Sequence, residues 1–399
     1  MKALILSAFG GENLFPFTSS RPKVMLPIAN TNFLESTLVK IKDIGIKEVI
    51  IVIGKYGEQI VDHFGTGESI GLTIQYVRQD KPTGIRDAIL MTKNFFDDEF
   101  FMLVYPDSSS SGNIYRNVFD IFSSSGKPVA SITHTNRAED FGTVFLNTDL
   151  SIKRVVEKPS KKEIANYVLS GAFILPKSFF KLLSDMEMDE SLNSLVSDSG
   201  LISAIWEQGW FDPQWPWELL NVNKMLMDDW NVANVDTSVQ LRGSIQFRGP
   251  VIIESNVIIE DGTSISGPCF IGKNSYIGNG VLIRPYTSIG PNSVIGFGVE
   301  LKNCILMGSS RVGRLSFIGD SVVGEKTEFG SGTMTLNQSQ EESVKVLMPS
   351  GLEDTGLEKL GALIGDGCKI GASNTFAPGS ILPTESTIPP FITYPSGSN

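Results

Sequence analysis

Hydrophobic residues follow two different spacings along the chain, one before and one after about residue 249. In the first part, short β-rich runs alternate with helical patterns. The predicted strands are Ala3–Leu6, Glu48–Ile53, Leu72–Val77, Phe100–Tyr105 and Val129–Thr133, and the predicted helices are Phe33–Ile44, Gly57–Phe64 and Arg86–Asn94. This alternation predicts a mostly parallel, doubly wound α/β sheet, whose ligands bind beyond the carboxyl ends of the strands.

In the second part, an apolar residue recurs at every sixth position. The uninterrupted series is Ile253, Ile259, Ile265, Ile271, Ile277, Ile283, Ile289, Ile295, Leu301 and Met307, and it resumes at Ile364, Ile370 and Phe376. A fixed period of this kind predicts a solenoid in which each coil buries its apolar residue against the next. The pattern resembles the left-handed parallel β-helix of hexapeptide repeats.

These spacings predict two domains, 1–230 and 249–399, joined by a connection at 231–248. The charged stretch 338–360 lacks the repeat and is predicted to form a loop ejected from the coil. The apolar series is too strict to be shared with an α/β sheet, because the sheet and the solenoid need different periods.

Charge and composition narrow the classes of partner and compartment. The formal net charge of −11 argues against nucleic acid, which binds to clustered Lys and Arg. No stretch reaches the roughly 18 apolar residues of a membrane span. Cys269, Cys304 and Cys368 are too far apart in sequence for a Cys-x-x-Cys zinc site, and we expect a reduced, cytoplasmic protein.

The order of motifs in the first part resembles that of sugar-1-phosphate nucleotidylyltransferases. The opening signature covers Leu6–Thr18 and Arg21–Ile28, and later matches are Gln79, Gly84, Asp107, Gly142, Glu157-Lys158-Pro159, Gly171, Asp212 and Pro216–Leu220. This resemblance implies a Rossmann-like nucleotidyltransferase domain. Together with the β-helix, the chain resembles the archaeal bifunctional sugar-phosphate nucleotidylyltransferase and amino-sugar-phosphate acetyltransferase type.

The resemblance implies attack of a sugar-1-phosphate on a nucleoside triphosphate, giving an NDP-sugar and pyrophosphate. Lys23 would then contact the triphosphate and Lys158 the sugar phosphate, while Asp107 and Asp212 would hold Mg²⁺, which prefers oxygen ligands. The implied nucleotide- and sugar-binding residues are Gly10, Gly11, Gln79, Gly84, Arg86, Gly142, Glu157 and Gly171. The structural alternative is that both lysines are solvated and that Asp107 caps a turn.

The phosphate loop departs from the family pattern. Phe9, Glu12 and Asn13 stand where the family has glycine, threonine and arginine. The arginine neutralises charge on the leaving pyrophosphate, and the loss of one such group costs several kcal/mol, on the order of 3 kcal/mol, in the transition state. Arg86 could supply this charge from another direction, or it could be a surface helix arginine.

The residues expected for acetyl transfer, the second activity of the archaeal type, do not include the histidine base. Acetyl transfer in archaeal relatives uses a histidine, but Arg314 stands at that position and Phe317 stands where a tyrosine is expected. No histidine follows His134, so this domain holds no imidazole to accept the amine proton. Asn337 and Lys345 match substrate-contacting positions, with a capped turn and a loop lysine as alternatives, and we predict that acetyl transfer is absent.

Three functions remain open. The chain is a weak or regulatory subunit that binds nucleotide or NDP-sugar, a fully active transferase with a rewired site, or an assembly scaffold without a ligand. We expect a homo-oligomer built on β-helix trimers or a hetero-oligomer with an active paralogue. Retention of the lysines and carboxylates counts against a ligand-free scaffold, because a scaffold has no use for them.

Overall fold

The computed structural model of the chain describes residues 1–8, 11–81, 83–135, 137–157, 159, 164–340 and 342–395, with the backbone alone at position 12. Within these residues, no helix combines the length and the apolar character required to cross a membrane. The chain divides into two compact units, Met1–Gly10 with Phe33–Asp212 and Gly11–Asn32 with Pro213–Asn399. The predicted domain 1–230 is therefore distributed over both units.

A nine-stranded sheet forms the centre of the first unit within the described part of the chain. Numbered along the chain, its strands are β1 (Ala3–Ser7), β2 (Glu48–Ile53), β3 (Thr73–Arg78), β4 (Phe100–Val104), β5 (Val129–His134), β6 (Thr143–Leu146), β7 (Ile152–Val156), β8 (Tyr167–Pro176) and β9 (Ile202–Trp206). Their order is β7-β6-β8-β4-β1-β2-β3, with β5 beside β8 and β9 beside β5.

The first four strands run parallel, and β8 lies antiparallel to β4. This arrangement confirms the mostly parallel α/β fold. Strands buried on both faces read as continuous apolar runs, as β4 does, where Phe101, Met102, Leu103 and Val104 are all buried. Because β1 and β4 are parallel neighbours, their carboxyl ends lie at the same edge of the sheet.

The described residues contain seven α-helices, six in the first unit and one in the second. They are α1 (Phe33–Asp43), α2 (Gly57–Phe64), α3 (Ile85–Leu90), α4 (Ile114–Ser125), α5 (Phe179–Asp185), α6 (Met188–Asp198) and α7 (Leu219–Asp228). The helix predicted at Arg86–Asn94 is shorter, since α3 ends at Leu90 and a separate 3-10 turn covers Lys93–Phe95. Helix α7 belongs to the second unit.

Three parallel sheets of eight strands each make up most of the second unit as far as the structure describes it. The first contains Asn234–Val235, Val251–Ile253, Cys269–Ile271, Thr287–Ile289, Ile305–Leu306, Val322–Val323, Ala362–Ile364 and Ser380–Leu382. The second contains Gln240–Leu241, Ile258–Ile259, Tyr276–Ile277, Val294–Ile295, Arg311–Val312, Glu328–Phe329, Lys369–Ile370 and Thr387–Ile388. The third contains Gln246–Arg248, Ser264–Ser266, Leu282–Ile283, Glu300–Lys302, Phe317–Gly319, Met334–Thr335, Thr375–Phe376 and Thr393–Tyr394.

This arrangement confirms the left-handed β-helix predicted from the repeat. The isoleucines at every sixth position are buried in one core cluster, as the solenoid interpretation requires. Asparagines occupy left-handed backbone positions at the corners, where Asn256 and Asn274 have φ of 59° and 60°. Asn256 Nδ2 donates to Asn274 Oδ1 at 3.2 Å, so the corners of successive coils are also linked by side chains.

Two details of the β-helix differ from the sequence expectation. The predicted connection 231–248 forms the first coil, because Val235, Leu241 and Phe247 pair with Ile253, Ile259 and Ile265. The step of six also ends at Leu301, since Leu306 rather than Met307 pairs with Ile289. The step from Leu301 to the next inward-facing residue is therefore five residues, and the inward-facing residue is Leu306.

Two further segments belong to the second unit. Residues Lys345–Met348 and Gly351–Asp354 form an antiparallel hairpin within the predicted loop 338–360. Residues Gly11–Asn32 contain three 3-10 turns, at Glu12–Leu14, Phe17–Ser19 and Lys23–Met25, and a short hairpin of Pro27–Ile28 with Thr31–Asn32. We call Gly11–Asn32 the signature segment, because it carries most of the opening sequence motif.

Candidate active site

A cleft in the first unit lies beyond the carboxyl end of β4. Its empty volume, which includes space open to solvent, is about 690 Å³. The predicted site residues in its lining are Asp107, Gly142, Glu157, Gly171 and Asp212. The cleft therefore brings together the residues that the resemblance assigns to the sugar and to the metal.

These residues come from separate elements that meet at one edge of the sheet. Asp107 follows β4, Glu157 follows β7, and Asp212 follows the short strand Trp210–Phe211. Trp210–Phe211 pairs with Ser109–Ser110, two residues beyond Asp107, and this pairing holds the two aspartate-bearing loops side by side. The carboxyl-end rule for α/β sheets predicts such a convergence.

Two glycines keep the cleft open. A Cβ on Gly142 would lie 3.1 Å from Glu157 Oε2, and a Cβ on Gly171 would lie 3.0 Å from Tyr105 Cβ. Gly171 also has a φ of 85°, which side chains rarely tolerate. Any larger residue at either position would displace the wall of the cleft.

The cleft is strongly acidic. Its lining carries five carboxylates, those of Asp107, Asp140, Glu157, Asp189 and Asp212, and its described lining residues include no lysine or arginine. Burial, together with Glu157 and Asp107, raises the pKa of Tyr105, so its phenol stays neutral. A sugar phosphate entering this cleft needs a cation, and Lys158, which follows Glu157, lies outside the described residues.

The chemistry of the cleft suits a magnesium ion held jointly with substrate. Among the described residues, no group of three or more His, Cys, Asp or Glu side chains is arranged to hold a metal on its own. Mg²⁺ commonly takes one or two carboxylates and completes its shell with phosphates and water. Asp107 and Asp212 line the same cleft and fit this donor set.

Arg137 is a candidate site residue that the sequence reasoning missed. Its Nη2 donates to the Asp212 carbonyl at 3.2 Å, and its Nε lies 3.8 Å from Asp140 Oδ2. Its guanidinium also lies 5.6 Å from the centre of the Phe211 ring. Arg137 thereby supports the backbone at Asp212 and brings positive charge to an acidic wall.

Gln79 and Gly84, two of the predicted nucleotide- and sugar-binding residues, lie between β3 and α3 and are not in the lining of this cleft. Gln79 is buried, and its Nε2 donates to Thr83 Oγ1 at 3.1 Å and to the Gly84 carbonyl at 3.3 Å. Its Oε1 is buried without a hydrogen-bond partner among the described residues. Gln79 thus keeps an acceptor that a ligand can use, next to the left-handed turn at Gly84.

Arg86 holds the end of a helix. Its Nε donates to the Leu183 carbonyl at 2.6 Å, and its Nη2 donates to the Ser184 carbonyl at 2.7 Å. A cation at the C-terminal end of α5 satisfies unpaired carbonyls and the helix dipole. These contacts favour the alternative in which Arg86 is a structural arginine of the helix surface. Nucleotide binding by Arg86 stays a prediction.

Gly11 and Lys23, which the resemblance assigns to the phosphates, lie in the second unit. Gly11 has a φ of 102°, and a Cβ there would lie 3.0 Å from Lys23 Cβ. Lys23 is only 4% exposed, so it is not the solvated surface lysine of the alternative interpretation. Gly10 lies outside the described residues, as does Phe9.

The acetyltransferase positions of the β-helix are engaged in internal contacts. Asn337 Nδ2 donates to Asp320 Oδ2, which also lies 2.9 Å from Lys302 Nζ. Because Asp320 is buried, its negative charge needs the compensation that Asn337 and Lys302 provide. Lys345 begins the hairpin of the ejected loop and pairs in register with Asp354.

The three cysteines are packing residues. All three are buried and free. Burial raises the pKa of Cys269 and of Cys304 to about 12, so both thiols stay protonated and unreactive near neutral pH.

Comparison with known families supports the sequence resemblance. Residues 2–210 match the family described as nucleotidyl transferase. Residues 265–347 match the GMPPB C-terminal domain. The first match covers about half of the chain and includes every lining residue of the acidic cleft except Asp212.

Comparison with individual proteins extends the similarity over nearly the full length. The bifunctional protein GlmU of Methanococcus maripaludis strain C7 is 34% identical, covering 97% of this chain and 93% of that protein. A bifunctional sugar-1-phosphate nucleotidylyltransferase/acetyltransferase of Sulfurisphaera tokodaii is 30% identical, covering 95% and 93%. The solved UDP-glucose pyrophosphorylase in complex with UDP-glucose is 19% identical with a TM-score of 0.51, covers 56% of this chain and 96% of that chain, and is similar in fold alone.

Proposed function

Because this chain belongs to the nucleotidyltransferase family, we propose that it binds a nucleoside triphosphate and a sugar-1-phosphate and joins them slowly into an NDP-sugar, releasing pyrophosphate. The observation that carries this proposal is the acidic cleft that unites Asp107, Glu157 and Asp212. The low rate follows from the altered phosphate loop, in which Asn13 stands in place of the family arginine.

The proposed site residues have different chemical roles. Glu157 accepts hydrogen bonds from sugar hydroxyls, for which Gly142 leaves room beside it. Asp107 and Asp212 hold Mg²⁺, which supplies positive charge to phosphate oxygens when it is bound. Lys158 and Lys23 neutralise the sugar phosphate and the triphosphate, so that the attacking oxygen and the α-phosphorus can approach in line.

A panel of substrates tests this proposal. The protein is incubated with Mg²⁺, each common nucleoside triphosphate and either glucose-1-phosphate or N-acetylglucosamine-1-phosphate, while pyrophosphate and melting temperature are recorded. We expect one nucleotide to raise the melting temperature by stabilising the folded state, with turnover below the ordinary range of roughly 1 s⁻¹ or more. Absence of both stabilisation and pyrophosphate with every pair would contradict the proposal.

A regulatory role is the second candidate, and Glu12, which stands where the family has threonine in the phosphate loop, favours it. Binding without turnover would mark the chain as a ligand-sensing subunit that joins an active paralogue.

The β-helix carries exposed apolar residues on neighbouring coils, Phe297 and Leu315, which are 56% and 59% exposed. Such residues support the expected trimer-based oligomer, and light scattering measures its size.

Acetyl transfer is expected to be absent. With acetyl-CoA and glucosamine-1-phosphate, thiol release should not exceed the rate without protein, since Arg314 replaces the histidine base and Asn337 is bonded to Asp320. The double change Arg314→His with Phe317→Tyr serves as the comparison, because it restores the family residues. Ordinary turnover by the unchanged protein would show that another base does this work.

A further inference from the structure

The signature segment is fastened to the β-helix by a nearly buried ion pair. Arg21 Nη2 lies 2.7 Å from Asp366 Oδ2, and Arg21 Nη1 lies 3.0 Å from Glu325 Oε1. The side chains of Arg21 and Asp366 are only 10% and 13% exposed. Removing one partner of such a pair leaves the other charge poorly solvated, which makes the contact hard to break.

The β-helix holds the two carboxylates ready for this arginine. Asp366 Oδ1 accepts from the backbone N–H of Glu325 at 2.7 Å, and the Gly367 N–H donates to the Glu325 carbonyl at 2.7 Å. The two carboxylates therefore stand on adjacent coils in fixed positions. Burial opposes the charge on Arg21, but Asp366 and Glu325 outweigh it, and the pKa of Arg21 is raised.

Further contacts fasten the segment on both sides of Arg21. Thr384 Oγ1 donates to the Pro16 carbonyl at 3.4 Å, and Ser288 Oγ donates to the Ala29 carbonyl at 2.6 Å. The Ala29 N–H in turn donates to Asn223 Oδ1 at 2.8 Å. The segment is thus attached along its length, with the ion pair near its middle.

Lys23 lies two residues beyond Arg21 and shares its support. Lys23 begins the 3-10 turn Lys23–Met25 and is buried. A Cβ on Gly11 would lie 3.0 Å from both Lys23 Cβ and Thr18 Cγ2, so these three residues are packed together within the segment. The position of Lys23 therefore depends on where the β-helix holds the segment.

We propose that Arg21, through Asp366 and Glu325, is a positioning residue that sets Lys23 for the triphosphate, so that the β-helix is a working part of nucleotide binding. This inference rests on the proposed function. It gives the β-helix a role that needs no histidine, and it predicts that nucleotide affinity depends on an ion pair whose carboxylates belong to the β-helix.

The test compares Arg21→Met with the unchanged full-length protein. Loss of the pair should raise the KM for the nucleoside triphosphate, or its Kd if turnover is too slow, by about tenfold or more, which corresponds to the cost of one misplaced phosphate contact. The KM for the sugar-1-phosphate should stay within about twofold, because a global defect would change both. Arg21→Lys, which keeps the charge, should recover most of the affinity.

Matched variants separate positioning from general destabilisation. Arg242→Met breaks the Arg242–Glu260 pair of 2.9 Å elsewhere on the β-helix and should leave nucleotide affinity unchanged. Glu325→Gln removes the more exposed partner and should act in the same direction as Arg21→Met but more weakly. If Arg21→Met fails to fold, the nucleotide affinity of Glu325→Gln alone tests the inference.

Hydrogen exchange of the signature segment without any ligand gives an independent measurement. We expect faster exchange over residues 11–32 in Arg21→Met and no change in Arg242→Met. Equal nucleotide affinity in Arg21→Met and the unchanged protein would overturn the inference while leaving the proposed function intact. Failure of the unchanged protein to bind any nucleotide would overturn the proposed function and with it the role given to Lys23, whatever the exchange rates.

Discussion

Replacing Asp107 by asparagine should lower pyrophosphate release by about 100-fold or more, the usual cost of removing one preorganised charge contact in a transition state. Asparagine keeps the size of the side chain and removes its charge. Asp107 lies in the same acidic cleft as Asp212, and the pairing of Ser109–Ser110 with Trp210–Phe211 holds the loops that carry them. The change should also weaken the effect of Mg²⁺ on nucleotide-induced stabilisation.

The matched control is Asp149→Asn, which makes the same chemical change at an exposed turn of the first unit outside the cleft. Both variants are measured for pyrophosphate release and for melting temperature with nucleotide, in the presence and absence of Mg²⁺. If Asp107→Asn retains the activity of the unchanged protein, the assignment of Asp107 to the reaction is wrong. An equal loss in both variants would instead point to a general effect of net charge.

Restoring the family loop should have the opposite effect. The double change Glu12→Thr with Asn13→Arg is expected to raise turnover by about 100-fold, because it replaces an acidic residue by the family threonine and returns a cation for the leaving group. Asn13 is exposed, so an arginine there meets no packed core. Single-turnover measurements at saturating nucleotide separate this gain from tighter binding.

The appropriate comparison is Glu12→Thr with Asn13→Gln, which restores the threonine and adds length without charge. It should gain far less than the arginine variant if the missing cation is the cause. No gain from either double change would mean that other ligand-contacting positions have also diverged, and would favour the regulatory role. A gain only in nucleotide affinity would place the defect in binding rather than in transition-state stabilisation.

The sheet and the acidic cleft follow closely from sequence patterns. Strands buried on both faces appear as apolar runs, so the predicted runs Glu48–Ile53 and Phe100–Tyr105 match the observed strands Glu48–Ile53 and Phe100–Val104 closely. The family resemblance names Asp107 as a site candidate, and Asp107 follows the carboxyl end of β4, where ligands of such sheets bind. Residues assigned by the family resemblance, such as Gly142 and Gly171, prove to be glycines whose Cβ would crowd the cleft.

Features set by tertiary packing were harder to predict. The first coil of the β-helix has the right spacing, but Leu241 is 48% exposed because no earlier coil covers it, and its surroundings therefore contain more polar residues. The five-residue step to Leu306 is invisible to a search for a strict period. Arg137 belongs to no motif, and it becomes a site candidate through its contacts, such as the hydrogen bond to the Asp212 carbonyl.

The assignment of the signature segment could not be read from order along the chain. Residues 11–32 lie among motifs of the first unit, yet they pack with residues 213–399. The side-chain contacts described above join positions 194 to 368 residues apart, and Arg21 and Asp366 are one such pair. A single sequence without such contacts places a domain boundary only where spacing or composition changes.

The interleaved path of the chain also restricts how genes of this kind can recombine. A crossover between codons 33 and 212 would combine a signature segment from one parent with a β-helix from another, although the two belong to one folded unit. Hybrids whose parents differ at position 21 or position 366 would then lose the ion pair. Functional chimaeras should therefore be recovered mainly when the codons for residues 11–32 are inherited together with the 3′ half of the gene.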